Sequence, residues 1–143
     1  MMPAMSKSGG CLCGAVRFTA EEVETEHHAC HCGMCRRWSG GSAFFAATAH
    51  GVVFESTAHL GRYVSSDWAE RGFCTTCGTT LFYFLKPTSM YAMSVGAFDD
   101  TSDFTLVREI FIDRKPAGYA FAGDHARWTE AETFARLSPP ESL

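Results

Sequence analysis

Seven cysteines, Cys11, Cys13, Cys30, Cys32, Cys35, Cys74 and Cys77, form two C-x-C pairs and two C-x-x-C pairs, with Cys32 shared. Random placement of as many cysteines would give roughly 0.6 such pairs, so chance is a poor explanation. Zinc is a physical one. With Zn–S near 2.3 Å and tetrahedral angles, two ligating sulfurs stand about 3.8 Å apart. A C-x-C in an extended segment puts both side chains on one side. A C-x-x-C converges from a tight turn, for which Gly33 and Gly78 are suited.

The seven divide as four plus three. Cys30-His31-Cys32-Gly33-Met34-Cys35 can offer three thiolates to one ion, which leaves Cys11, Cys13, Cys74 and Cys77 for a second. A four-thiolate site is closed and structural, whereas a three-ligand site keeps a position for water or substrate and holds its ion less tightly. Two zinc ions of different character follow from the count. The same spacing also admits other groupings, one zinc with three spare cysteines, an iron–sulfur cluster or ordinary buried thiols. A redox C-x-x-C would need a βαβ context that does not surround Cys32 or Cys74.

These residues must be held by short strands. Ala15–Thr19, Phe44–Ala47, Val52–Glu55, Gly61–Ser65, Trp68–Phe73, Thr79–Leu85, Met90–Val95 and Phe104–Ile112 read as about eight strands between turn signals. The expected fold is mainly β, an antiparallel assembly of small sheets tied at strand ends by the four-cysteine site. Thr129-Glu130-Ala131-Glu132 is a capping box opening a short C-terminal helix, with Phe134 and Leu137 on one face and Pro139-Pro140 as its stop. A brief helical turn is expected after Cys35. Residues 10–138 read as one zinc-binding β domain between flexible ends, 1–9 and 139–143.

With 46% hydrophobic and 20% charged residues, the 143-residue chain can bury a core. A formal charge of −4 argues against nucleic acid and anionic membrane surfaces as partners. No apolar run is longer than Leu81–Leu85, which is far short of a membrane span. An odd cysteine count without a secretory signal favours free thiolates in a reducing cytoplasm over a disulfide framework.

Gly10-Cys11-Leu12-Cys13-Gly14-Ala15-Val16, Cys30 to Arg37 with Ser39-Gly40, Phe73-Cys74-Thr75-Thr76-Cys77-Gly78-Thr79, and Val95 to Asp100 resemble the glutathione-dependent formaldehyde-activating enzyme and centromere protein V family. The resemblance runs from about Gly10 to Ile112. It implies a zinc-tied β-tent, with Cys11, Cys13, Cys74 and Cys77 on the structural zinc and Cys30, Cys32 and Cys35 on the open one. It also implies a homodimer and a carbon–sulfur lyase that makes or cleaves S-(hydroxymethyl)glutathione. The chain departs from the family where a His often precedes the late Ile-aromatic strand and a Trp soon follows. Glu109 and Ala117-Gly118-Tyr119 stand there instead.

On this reading the partners are a glutathione-like thiol and a small aldehyde, joined at the Cys30/Cys32/Cys35 zinc as Lewis acid and template. Arg36 and Arg37, with Ser39 behind them, are the candidates for holding an anionic substrate; the two arginines read equally as a solvated pair. Trp38, Phe44 and Phe45 read as core or as pocket wall. His31 is expected to point away from the ion. His27 and His28 read as exposed strand-edge residues or as proton shuttles. A thiol carrier, a zinc-shaped interaction module and a methionine sulfoxide reductase are the competing functions. The module predicts a closed triplet site; the reductase needs a late cysteine, and none follows Cys77.

Overall fold

The computed structural model describes residues 5–136. The expected tail over 139–143, the Pro139-Pro140 stop and Leu137 fall outside that range. Ten strands and two helices follow in the order β1 (Met5–Gly10), β2 (Arg17–Val23), β3 (Glu26–Cys30), α1 (Gly33–Ser39), β4 (Phe44–Phe54), β5 (Leu60–Ser66), β6 (Ala69–Cys74), β7 (Thr80–Leu85), β8 (Met90–Ser94), β9 (Thr105–Ile110), β10 (Ala126–Arg127) and α2 (Glu130–Arg136).

One ladder, β10-β9-β3-β4-β8-β7-β6-β5, carries the fold, and β2 with β1 branches from β4. The branch exists because β4 is long. Its first residues pair with β3, while its last, from Ala49 to Phe54, pair with β2. The sequence reads as two runs broken at His50-Gly51, yet the strand is continuous there. Gly51 takes a φ of +66° that bends the strand without ending it. The pairing is mixed rather than purely antiparallel: β9 lies parallel to both β3 and β10.

The loose start expected over residues 1–9 is corrected over Met5–Gly9, which belong to β1 and pair with β2. Gly9 and Gly10 are strand residues, paired with Phe18 and Arg17. A Cβ at Gly9 would stand 2.2 Å from the Ala97 carbonyl and 2.6 Å from the Phe18 ring, so only glycine permits this approach. β3 escaped detection because its His27-His28 core is polar; it is nonetheless an interior strand.

Apolar side chains gather in two clusters, one under each set of cysteines. Val16, Phe18, Leu81, Phe82, Met93 and Phe98 pack beside Cys11 and Cys74. Phe44, Tyr83, Leu85, Ile110 and Phe111 pack beside Cys30 and Cys35. Each fully buried Phe or Leu contributes on the order of 2 kcal/mol, so each set rests on packed ground. α2 is capped as its sequence predicts: Glu132 N donates to Thr129 Oγ1 at 3.1 Å, and Thr129 N donates to Glu132 Oε1 at 2.9 Å. No helix among the described residues is long and apolar enough to cross a membrane.

Candidate functional site

Cys11 and Cys13 flank the β1–β2 turn; Cys74 ends β6 and Cys77 lies in the turn before β7. Their four sulfurs lie within 4.8 Å of one another. Cys11 Sγ is 3.7 Å from Cys13 Sγ, which is 3.8 Å from Cys74 Sγ, the separation that two ligands of one zinc require. Backbone donors already face the sulfurs. Val16 N meets Cys11 Sγ at 3.2 Å, and both Thr76 N and Cys77 N meet Cys74 Sγ at 3.4 Å. The Thr79 hydroxyl beside Cys77 leads the hydrogen bonds that hold that thiol down at about 5. Donors converging on sulfur favour thiolates, so this cluster fits a structural metal.

Cys30, Cys32 and Cys35 form the second cluster, within the same 4.8 Å. Cys30 ends β3 between β4 and β9. Cys32 caps α1, its sulfur accepting from Cys35 N at 3.4 Å as a hydroxyl would. Gly33 is the first helical residue here, not the turn residue expected. Hydrogen bonds from Cys30, then Cys35, hold the Cys32 thiol well below its usual range. Among the described residues no fourth His, Cys, Asp or Glu joins this set, so the closed triplet site that an interaction module requires is not found there. Three sulfurs without a fourth protein ligand fit a metal with an open position.

Arg71, from β6, is the cation at this cluster, a residue the sequence reading missed. It is buried, and its Nη1 lies 3.6 Å from Cys35 Sγ. Its guanidinium stacks between the Trp38 and Tyr83 rings, 5.1 and 5.0 Å from their centroids. A signal existed: Arg71 shares the strand parity of the buried Ala69, so a charge stood on the inward phase.

Arg36 donates from Nε to the His31 carbonyl at 3.0 Å and reaches the cleft above the sulfurs. Arg37 is exposed in a shallow depression with Gly40 and Gly41. Ser39 Oγ is buried without a hydrogen-bond partner and borders neither hollow. Trp38 stacks on Phe44 at 5.1 Å, while Phe45 turns to the opposite face against His27 and Phe121.

His31 points away from the sulfurs, as expected, and has partners of its own. Nε2 lies 2.7 Å from Glu109 Oε1, and Nδ1 lies 3.0 Å from the Tyr119 hydroxyl. Glu109 also holds His125 and Arg127 through Oε2. Burial raises the Glu109 carboxyl, but hydrogen bonds from His125 and His31 outweigh it and hold its pKa below the ordinary value. The two positions that depart from the family pattern therefore meet on one histidine between two of the cysteines. His27 is buried and His28 half-buried, not exposed strand-edge residues. Burial lowers both imidazoles, with Arg108 adding to the effect at His28.

A cleft of about 370 Å³ opens above Cys32 and Cys35, among α1, the β5–β6 hairpin, the turn after β9, and α2. Arg36 and Arg71 border it, with Met34, Trp68, Tyr83, Phe111 and Phe134 as walls. Burial pushes the Tyr83 phenol up to about 12, so it stays a neutral donor.

Residues 6–114 match the family described as glutathione-dependent formaldehyde-activating enzyme. The chain is 35% identical over 131 residues to an uncharacterised lyase of Schizosaccharomyces pombe, covering 90% of this chain and 95% of that one. A Halomonas elongata protein provisionally named a glutathione-dependent formaldehyde-activating enzyme is 30% identical over 92 residues, 56% of this chain and 57% of its own length. The crystal structure of a Rhodobacter sphaeroides protein superposes with a TM-score of 0.55 at 27% identity, covering 64% of this chain and 87% of that one. The chain belongs to the glutathione-dependent formaldehyde-activating enzyme family.

Proposed function

We propose that this family member is a carbon–sulfur lyase that forms or cleaves the adduct of a glutathione-like thiol and an aldehyde at the Cys30/Cys32/Cys35 cluster. The observation that supports it is the contrast between the two cysteine sets. One is four sulfurs at a strand clasp, and the other is three sulfurs of which Cys32 and Cys35 border an open cleft. Zinc held by the three would supply Lewis acidity and keep an outside thiol as its thiolate. A second zinc at Cys11, Cys13, Cys74 and Cys77 is structural.

The chain's own groups supply the rest. A dication held by three thiolates would carry a net charge of −1, which a substrate thiolate would deepen; Arg71, against Cys35, is placed to offset it. Arg36 reaches the cleft with donors for a substrate carboxylate; Arg37 stands further out, where only an extended substrate would meet it, and the enclosed Ser39 hydroxyl meets none. In the forward direction the C–S bond forms and the carbonyl π pair moves to oxygen. The oxygen takes a proton from Tyr83, and the proton released by the thiol restores the phenol through solvent. The chain acts in the cytoplasm, as a homodimer, with no nucleic acid or membrane partner.

Exchange NMR on glutathione and formaldehyde tests this reading. Zinc-loaded protein is expected to raise the adduct exchange rate at least a hundredfold above the spontaneous rate, and Cys32→Ser to abolish the gain. A thiol-induced spectral change in cobalt-substituted protein without faster exchange would mark a carrier instead.

A further inference from the structure

Three large apolar side chains that a solvated surface would disfavour converge on the same cleft. Met34 in α1, Trp68 in the β5–β6 turn and Phe134 in α2 are 50%, 45% and 42% exposed, and all three border it. Single exposed hydrophobics are ordinary, but three from separate elements around one opening mark a binding surface. Behind them Phe111 is held at a φ of +56°, a costly backbone for a bulky residue. Such strain, where it occurs, gathers at ligand sites. Here it sets the Phe111 ring edge-on to Phe134, 5.5 Å between centroids.

The charges are fewer. Arg114 is neutralised by Glu130 at 2.7 Å, and Arg71 faces Cys35. That leaves Arg36 to meet one anionic group. A one-carbon aldehyde would use almost none of this wall, since the cleft holds roughly ten times the liquid volume of a water molecule.

We propose that the adduct bound here carries a ring-sized apolar group, seated against Trp68, Phe111 and Phe134, together with a single carboxylate facing Arg36. This rests on the lyase reading and narrows its substrate class. The ring can arrive on the aldehyde or on the thiol; the chemistry recognised is the same.

Two stable thioethers, 3-(benzylthio)propanoate and 3-(methylthio)propanoate, probe the wall by calorimetry on zinc-loaded protein. The benzyl compound is expected to bind at least tenfold tighter, and the gap to shrink below threefold in Phe134→Ala and in Trp68→Ala. Affinities within threefold in the wild type, or a tenfold gap that survives both substitutions, would overturn the proposal. Exchange kinetics then identify the source of the ring. Phenylacetaldehyde with 3-mercaptopropionate, and formaldehyde with 2-benzyl-3-mercaptopropanoate, are each compared with formaldehyde and 3-mercaptopropionate. A tenfold gain in one arm supports the proposal and assigns the ring to that reactant. Acceleration of the small pair with no gain in either arm overturns this proposal alone. Acceleration of glutathione with formaldehyde but of none of these pairs overturns this proposal alone; no acceleration of any, glutathione included, overturns the lyase reading, and this proposal with it.

Discussion

Arg71 Nη1 lies 3.6 Å from Cys35 Sγ, and the guanidinium behind it is buried with no acidic partner among the described residues. A buried cation without a carboxylate needs another anion, and the sulfurs it faces can supply one as thiolates.

Arg71→Met is therefore expected to weaken zinc at the three-cysteine cluster about 10- to 100-fold, the usual effect of losing a partner behind a ligand. The four-cysteine site should be unaffected. Competition against a chromophoric chelator reads this directly. Arg71→Lys should recover only part, because an ammonium lacks the planar fork that stacks between Trp38 and Tyr83. Equal weakening at both clusters would mean a general loss of folding.

The cysteine division was legible because ligand spacing is a local property, and so were the α2 cap and most strands. What stayed hidden is what the chain brings together over distance. Arg71 reaches Cys35 only because the β5–β6 hairpin folds over α1. Trp68, Phe111 and Phe134 share a wall through three separate elements. The parallel β3–β9 pairing, which delivers Glu109 to His31, has no local sequence signal at all. Polar His27-His28 concealed β3 in the same way, since alternation counts apolar residues and not strand position.

The two metal sites should part company under mutation. Cys74 joins the β6 end to the β1–β2 turn, so Cys74→Ser releases two wings of the sheet. On the order of 10 kcal/mol of metal-linked folding energy rests on such a site. Loss of solubility and of cooperative unfolding is expected. Cys32 sits half-buried at a helix cap, and Cys32→Ser keeps an oxygen able to accept from Cys35 N. Elemental analysis should then show one zinc fewer in a protein whose circular dichroism is unchanged. Equal damage from both would refute the division.

Tyr83 tests the proton path. Its phenol borders the cleft and stays protonated far above neutral pH. Tyr83→Phe keeps the ring that Arg71 stacks on and removes only the donor. A kcat lower by about a hundredfold, with KM little changed, is expected for loss of a general acid. An unchanged kcat would assign the protonation to solvent.

Glu109→Gln separates scaffold from chemistry. The carboxylate receives His31, His125 and Arg127 in a fully buried position, and a neutral amide leaves those donors short of charge. Removing one partner of a buried pair costs about 3 kcal/mol, which chemical denaturation at pH 7 should show. The acid limb carries the sign. Because the folded carboxyl titrates below its ordinary value, its contribution is complete above the unfolded pKa of about 4.3. It disappears as pH falls through the lower folded value. The stability gap between wild type and Glu109→Gln should therefore narrow once pH falls below about 4.3. Metal loss in acid is common to both proteins and drops out of the difference. A gap that does not narrow at all below that value would show that shape rather than charge is what Glu109 contributes to the segment between Cys30 and Cys32.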